Sequence, residues 1–113
     1  MSCIFCKIAN KEIPSQFLFE NENLVAFRDL NPQAPVHILV VPKMHISSIN
    51  EITNENSHIV AEIFEAINKI AEQEGIKESG YRVISNCGED GCQSVQHLHF
   101  HIVGGKKLSE TLS

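Results

Sequence analysis

His97, His99 and His101 fall at every second position of the stretch QSVQHLHFHIV, with Leu98, Phe100 and Ile102 interleaved. Successive side chains of a strand point to opposite faces. The three imidazoles therefore share one face and the apolar residues the other. Neighbouring imidazoles would stand about 6.6 Å apart along the strand, and the outer two about 13 Å. Such a row is too long for all three to clasp one metal ion. It suits an extended ligand touched by successive rings, such as a phosphate with a group on each side. Imidazole changes charge near pH 7. A neutral ring nitrogen can attack as a nucleophile, and a protonated neighbour can donate to a phosphate oxygen or a leaving group. One row could then both attack and stabilise. A chance polar face and a purely metal-binding row are the two blander readings of the same pattern.

The elements that must hold this row follow from the flanking sequence. Gln16 to Glu20 and Leu24 to Arg28 surround the polar Asn21-Glu22-Asn23, the pattern of a β-hairpin. Asn31 to Pro35 is turn chemistry, and Val36 to Val41 is an apolar, β-branched run expected to form a central strand ended by Pro42. Asn54 to Gly75 reads as the one long helix, with Val60, Ile63, Phe64, Ile67, Ile70 and Ala71 at helical spacing. Thr53 or Asn54 can cap its start, and Gly75 suits its left-handed end. Tyr81 to Ser85 is a further strand, Asn86 to Gly91 a polar loop, and the histidine strand follows. This order predicts an α+β domain spanning 1–113, an antiparallel sheet with the helix on one face. Leu98, Phe100 and Ile102 should then lie under the helix, and the histidines should face a cleft or solvent.

Composition narrows the possibilities. The 113 residues carry a formal net charge of −5 and 42% hydrophobic residues. That is enough for a core and argues against wholesale disorder. It also argues against a broad nucleic-acid surface, which needs clustered Lys and Arg. No apolar run reaches the ~20 residues of a membrane span. No secretory signal is visible at MSCIFCKIAN, so a cytoplasmic protein with reduced cysteines is expected. Cys3-Ile4-Phe5-Cys6 is a C-x-x-C pair: a redox pair, half a zinc site or a coincidence. No Walker-type glycine–lysine loop is present.

HLHFHIV resembles the His-x-His-x-His signature of the histidine-triad nucleotide-binding proteins, with x apolar. KEIPS, FRDLNPQAPVHILVVPKMHI and GCQSVQHLHFHIVGG are similar to the purine nucleoside phosphoramidase branch. The resemblance covers nearly the whole chain. It implies a five-stranded antiparallel sheet with one main helix, joined to a second sheet across a homodimer. It implies hydrolysis of purine nucleoside 5′-phosphoramidates or acyl-adenylates to AMP or GMP, through a nucleotidyl-histidine on His99. His101 would contact phosphate and stabilise developing charge. Ser94 would hydrogen-bond near the leaving group, Gln93 and Asn86 would line the phosphate site, and His37 would support the catalytic strand. Asp29 would hold the ribose hydroxyls. Phe5, Ile8, Phe27 and Leu30 would line the base pocket, with Ile4 a weaker candidate. The bland alternatives are turn organisation for Asp29 and ordinary core for the apolar set.

His101 stands where the nucleotidylyl-transferase branch usually has glutamine, which favours hydrolysis. A dinucleoside polyphosphate hydrolase and a nucleotide-binding regulator with little turnover are the alternatives, and a zinc-stabilised interaction module is a third. The chain ends KKLSETLS where phosphoramidase relatives often carry Trp-Pro-Pro. For the cysteine pair, His45 and His97 are the best candidates for the second pair of ligands. The resemblance to zinc-bearing bacterial members implies structural zinc on Cys3, Cys6, His45 and His97, and no catalytic metal. The alternative is two reduced thiols with His97 free to serve the phosphate. Cys87 and Cys92 read as free thiols, Cys92 near the phosphate, and His58 as a solvent-facing helix residue.

Overall fold

The computed structural model describes residues 3–112. Its elements are a helix α1 (Ile4–Ala9), strands β1 (Phe19–Glu20), β2 (Leu24–Arg28) and β3 (Val36–Pro42), a 3₁₀ turn (Ile49–Glu51), helix α2 (Ser57–Gln73), and strands β4 (Tyr81–Ile84) and β5 (Phe100–Gly104). The strands form one antiparallel sheet in the order β1-β2-β3-β5-β4. The five-stranded antiparallel sheet with one main helix is the architecture expected from the sequence.

The hairpin is closed by Asn21, whose Oδ1 accepts from the N–H groups of Asn23 and Leu24, each at 2.9 Å. Side chains of this type mimic a backbone turn. The first strand is shorter than QFLFE suggested, although Leu18 N still bonds Ala26 O at 2.8 Å. β3 lies between β2 and β5 and is buried from His37 to Pro42, as its continuous apolar run requires.

The two faces of the sheet bury different sets. Leu24, Ala26, Ile38, Val40, Phe100 and Ile102 meet Ile59, Ile63, Ala66, Ile67, Ile70 and Ala71 of α2. Leu98 joins that core, so the interleaved apolar set does lie under the helix. Val25, Phe27, Leu39 and Val41 form the second face, covered by Phe5 and Ala9 of α1. The sequence reading left that face to a cleft or solvent and did not foresee α1. Six residues are too few for helical periodicity to register, and so short a helix needs tertiary packing to exist.

α2 starts three residues later than expected. Thr53 and Asn54 do not cap it. Asn56 occupies the N-cap without a side-chain bond to the helix. Its Oδ1 instead accepts from Thr53 N at 2.7 Å, and Thr53 Oγ1 accepts from Glu55 N at 3.2 Å, which tightens the turn before the helix. The other end is as expected. Gly75 has φ +73°, Gly75 N bonds Glu72 O and Ile76 N bonds Ala71 O, the paired bonds of a Schellman end. Val60 is only half-buried and Phe64 is exposed, its ring edge-on to Phe100 at 5.5 Å. His58 is solvent-facing, as expected.

β5 begins at Phe100, so of the three alternating histidines only His101 lies within a paired strand. Opposite this point β3 ends at Pro42, which has no N–H to donate. Leu98 N turns instead to Ile46 O at 2.6 Å. The extended backbone nevertheless keeps the alternation, because Leu98, Phe100 and Ile102 share one core.

Candidate functional site

The histidine face is assembled from β3, β5, the segment before β5 and α1. His37 pairs with Val103 and His101 with Leu39 across β3 and β5. His37 and His101 are therefore diagonal neighbours on one face. Their ring nitrogens meet, His37 Nε2 to His101 Nδ1, at 2.9 Å. His99 packs edge-on to His101 and to Phe5, ring centres 5.1 Å apart in each case. His97, His99 and His37 are buried and His101 half-buried. The row thus faces protein more than solvent.

Hydrogen bonds set the tautomers. His99 Nδ1 lies 2.7 Å from the carbonyl of His97. A carbonyl only accepts, so Nδ1 carries the proton and Nε2 keeps its lone pair. His37 Nδ1 accepts from Gln33 N at 3.0 Å, which places the proton on Nε2. That N–H then donates to His101 Nδ1, leaving the His101 proton on Nε2. Burial, with His99 and His37 close by, pushes the His101 pKa down to about 4. The protonated neighbour expected from the sequence is therefore a neutral imidazole in the free protein, a donor through Nε2–H rather than a fixed charge.

Asp29 stands at the edge of this chain. One carboxylate oxygen accepts from Asn31 N at 2.8 Å, and the other lies 3.4 Å from His37 Nε2. Asp29, His37 and His101 bring three possible ligand atoms within 4.8 Å, the donor set of a two-histidine, one-carboxylate metal site. Ligation through His37 Nε2 would need the ring proton on Nδ1, where the Gln33 N–H already points. The arrangement is a hydrogen-bonded pair of histidines with a carboxylate beside it.

The loop from Asn86 to Gln93 is held by its own side chains. Gln93 Oε1 accepts from Gly88 N, and Gln93 Nε2 donates to Ser47 O and Val95 O. Asn86 Nδ2 donates to Gly91 O at 2.7 Å. Both Gln93 amide protons are thus committed to the loop; this residue shapes the site rather than presenting donors to it. A Cβ on Gly91 would sit 2.4 Å from Cys87 O, so glycine is required there. Ser94 is exposed just after the loop, Cys92 is exposed at φ 61°, and Cys87 and Cys92 are free thiols.

Of the base-pocket residues, the structure brings together Phe5, Ile8 and Phe27, with Phe5 edge-on to Phe27 at 5.9 Å. It does not bring Leu30 to them, since that side chain is 101% exposed, and Ile4 is exposed as well. A cleft of about 550 Å³ lies elsewhere, lined by Val36, Glu74–Ile76, Ser79, Gly80 and Gly105–Lys107, and includes none of the histidines.

Cys3, Cys6, His45 and His97 converge beside the row. His97 Nε2 donates to Pro42 O at 2.8 Å, so its Nδ1 keeps the lone pair. That Nδ1 lies 3.3 Å from Cys3 Sγ, 3.5 Å from Cys6 Sγ and 3.1 Å from His45 Nδ1. Cys6 Sγ is 3.2 Å from His45 Nδ1. A tetrahedral zinc bound at its usual N and S distances sets ligand–ligand edges of roughly 3.3–3.7 Å. Burial, the adjacent Cys3 and Glu12 raise the Cys6 pKa to about 11. A bound dication reverses that penalty by deprotonating the thiols. The donor set, the spacing and the His97 tautomer all fit zinc.

The family model for the scavenger mRNA decapping enzyme C-terminal binding domain matches residues 2–112. A histidine triad protein from Clostridium difficile superposes with a TM-score of 0.95 at 55% identity, over 98% of this chain and 96% of that one. The chain belongs to the histidine-triad family. Among curated members, the purine nucleoside phosphoramidase of Escherichia coli is 43% identical over 97% of this chain and 92% of its own length. The 14 kDa zinc-binding protein of Zea mays is 44% identical over 94% of this chain and 84% of its own. As a member of this family the chain is a hydrolase.

The groups that the sequence could not reveal are main-chain ones: the carbonyls of His97, Pro42 and Ser47 and the N–H of Gln33. No residue type announces them. The one available signal is the proline at 42, which leaves a strand end where a carbonyl can face a side chain.

Proposed function

We propose that this histidine-triad hydrolase cleaves purine nucleoside 5′-phosphoramidates or acyl-adenylates and releases the nucleoside monophosphate. The observation that carries the reading is the 2.7 Å bond from His99 Nδ1 to the His97 carbonyl. It places the lone pair of the uncharged His99 ring on Nε2, the nitrogen that would attack, in a buried ring of fixed orientation. Nε2 attacks the α-phosphorus, a bond to His99 forms, and the bond to the leaving nitrogen or acyl oxygen breaks. A leaving nitrogen takes its proton from water through the Ser94 hydroxyl. His101 Nε2–H donates to a phosphate oxygen as charge builds. Water then attacks the nucleotidyl-histidine, returning His99 and freeing the monophosphate. Asp29 accepts the ribose hydroxyls, and Phe5, Ile8 and Phe27 flank the base. Leu30 joins them only by folding inward over the ligand. Asn86 and Gln93 shape the phosphate loop.

Cys3, Cys6, His45 and His97 hold structural zinc in this reading, which would supply a rigid tie between α1 and the segment carrying the nucleophile. The chain acts as one domain and pairs as a homodimer; β4, bonded to β5 alone among the described strands, offers a sheet edge for it. Release of AMP from adenosine 5′-phosphoramidate by the wild type, with His99→Ala inactive but still binding AMP, is the expected result. Equal release by both proteins would remove His99 as the nucleophile.

A further inference from the structure

His37 donates its one Nε2–H to His101 Nδ1, and a carboxylate oxygen stands beside the same nitrogen without a hydrogen bond to it. His101 Nδ1 lies at 2.9 Å and Asp29 Oδ2 at 3.4 Å. Its other nitrogen is occupied by the N–H of Gln33, so the proton cannot leave Nε2 without breaking that bond. His37 itself is 6% exposed and cannot turn to water. The carboxylate is thus near enough to draw on the same N–H after a small shift of either side chain. Whichever acceptor holds it determines whether His101 is fixed with its own proton on Nε2, the form that donates to phosphate.

We propose that Asp29 and His37 form a relay by which an occupied ribose site sets the hydrogen-bonding state of His101, so that the ribose hydroxyls control turnover as well as binding. This rests on the assignment of Asp29 to the ribose. Two hydroxyls donating to Asp29 occupy the lone pairs that are otherwise free to draw on His37 Nε2–H. The N–H then belongs to His101 Nδ1 alone, and the His101 donor is fixed before attack. A deoxyribose ligand leaves the carboxylate free to compete. Asp29 and His37 act here as positioning residues, because the group meeting the phosphate is His101.

The relay separates two effects that simple ribose binding would merge. With wild-type protein, 2′-deoxyadenosine 5′-phosphoramidate should show kcat reduced about tenfold relative to the ribo substrate, beyond any change in KM. In His37→Leu the kcat difference between the two substrates should shrink to less than about twofold. The ratio of AMP to dAMP affinity, measured by calorimetry, should stay as in wild type because Asp29 remains. A second measurement needs no variant and no turnover. Ring ¹⁵N shifts of His101 should move to the pure Nε2–H form with AMP, and less completely with dAMP. A deoxy effect confined to KM, a kcat difference that persists in His37→Leu, or identical His101 shifts with both nucleotides would overturn the relay. Absence of turnover with the predicted shifts present would sink the hydrolytic reading and leave the relay standing.

Discussion

At the scale of the residue, each histidine is defined by what its second nitrogen touches. His99, His37, His101 and His97 are each fixed by a backbone carbonyl, a backbone N–H or another ring. The repeat His-x-His-x-His disclosed which residues share a face, and Cys3-x-x-Cys6 disclosed half of the Cys3, Cys6, His45, His97 cluster. Their tautomers were not legible, because the partners are main-chain atoms brought in by folding. Gln93 is the clearest instance: the resemblance placed it in the lining of the phosphate site, and its amide spans Gly88, Ser47 and Val95. Replacing it with alanine leaves the Gly88 N–H and the Ser47 carbonyl without their partner, while the Val95 carbonyl keeps the N–H of His97. Gln93→Ala should lose about 1–3 kcal/mol in urea unfolding, with kcat falling as the loop loosens. His101 gives a pH prediction. Its ordinary pKa of 6.5 falls to about 4 in the folded protein. The folded state therefore binds fewer protons than the unfolded state between those values. This contribution to stability is complete above 6.5 and is lost as pH falls through 6.5 towards 4. Chemical unfolding at pH 7 and pH 5 should show a larger loss for wild type than for His101→Gln.

At the scale of the element, the strands and α2 were legible in kind, whereas α1 and the bounds of β1 and β5 were not. β2, β3 and α2 announce themselves by a β-branched run or by apolar residues at helical spacing. α1, β1 and β5 are six, two and five residues long, and tertiary contacts decide their bounds. α1 matters most for the site, since Phe5 packs against both His97 and His99 and lies between the two cysteines. Two substitutions test how the elements hold. Ile63 is wholly buried beneath the sheet, and Ile63→Ala should cost about 2–5 kcal/mol. Gly75 sits at φ +73° with open space where a Cβ would go. Gly75→Ala should then cost only about 1 kcal/mol, all of it backbone strain. Denaturant midpoints measured at constant slope compare the two directly.

At the scale of the whole molecule, the sheet separates two tasks. One face carries the α2 core; the other is closed by α1 and carries the histidine row, where the proposed chemistry would take place. No helix among the described residues is long and apolar enough to cross a membrane. The proposed zinc centre clips α1 to the segment before β5, so its effect should be global. At free zinc about a thousandfold above Kd, binding stabilises by about 4 kcal/mol. Stripping zinc should therefore lower Tm by on the order of 15 °C, and readdition should restore it. Cys6→Ser should remove most of that response. A Tm indifferent to zinc would leave Cys3 and Cys6 as reduced thiols.

The most direct test of the central claim is to look for the nucleotide on His99. Wild-type protein would be mixed with adenosine 5′-phosphoramidate, quenched in alkali within the first turnover, digested and examined by mass spectrometry. The account predicts one adenylyl group on the peptide containing His99, acid-labile as a phosphoramidate should be, and absent from His99→Ala. AMP release with no adduct on that peptide, or an adduct on another histidine, would contradict it.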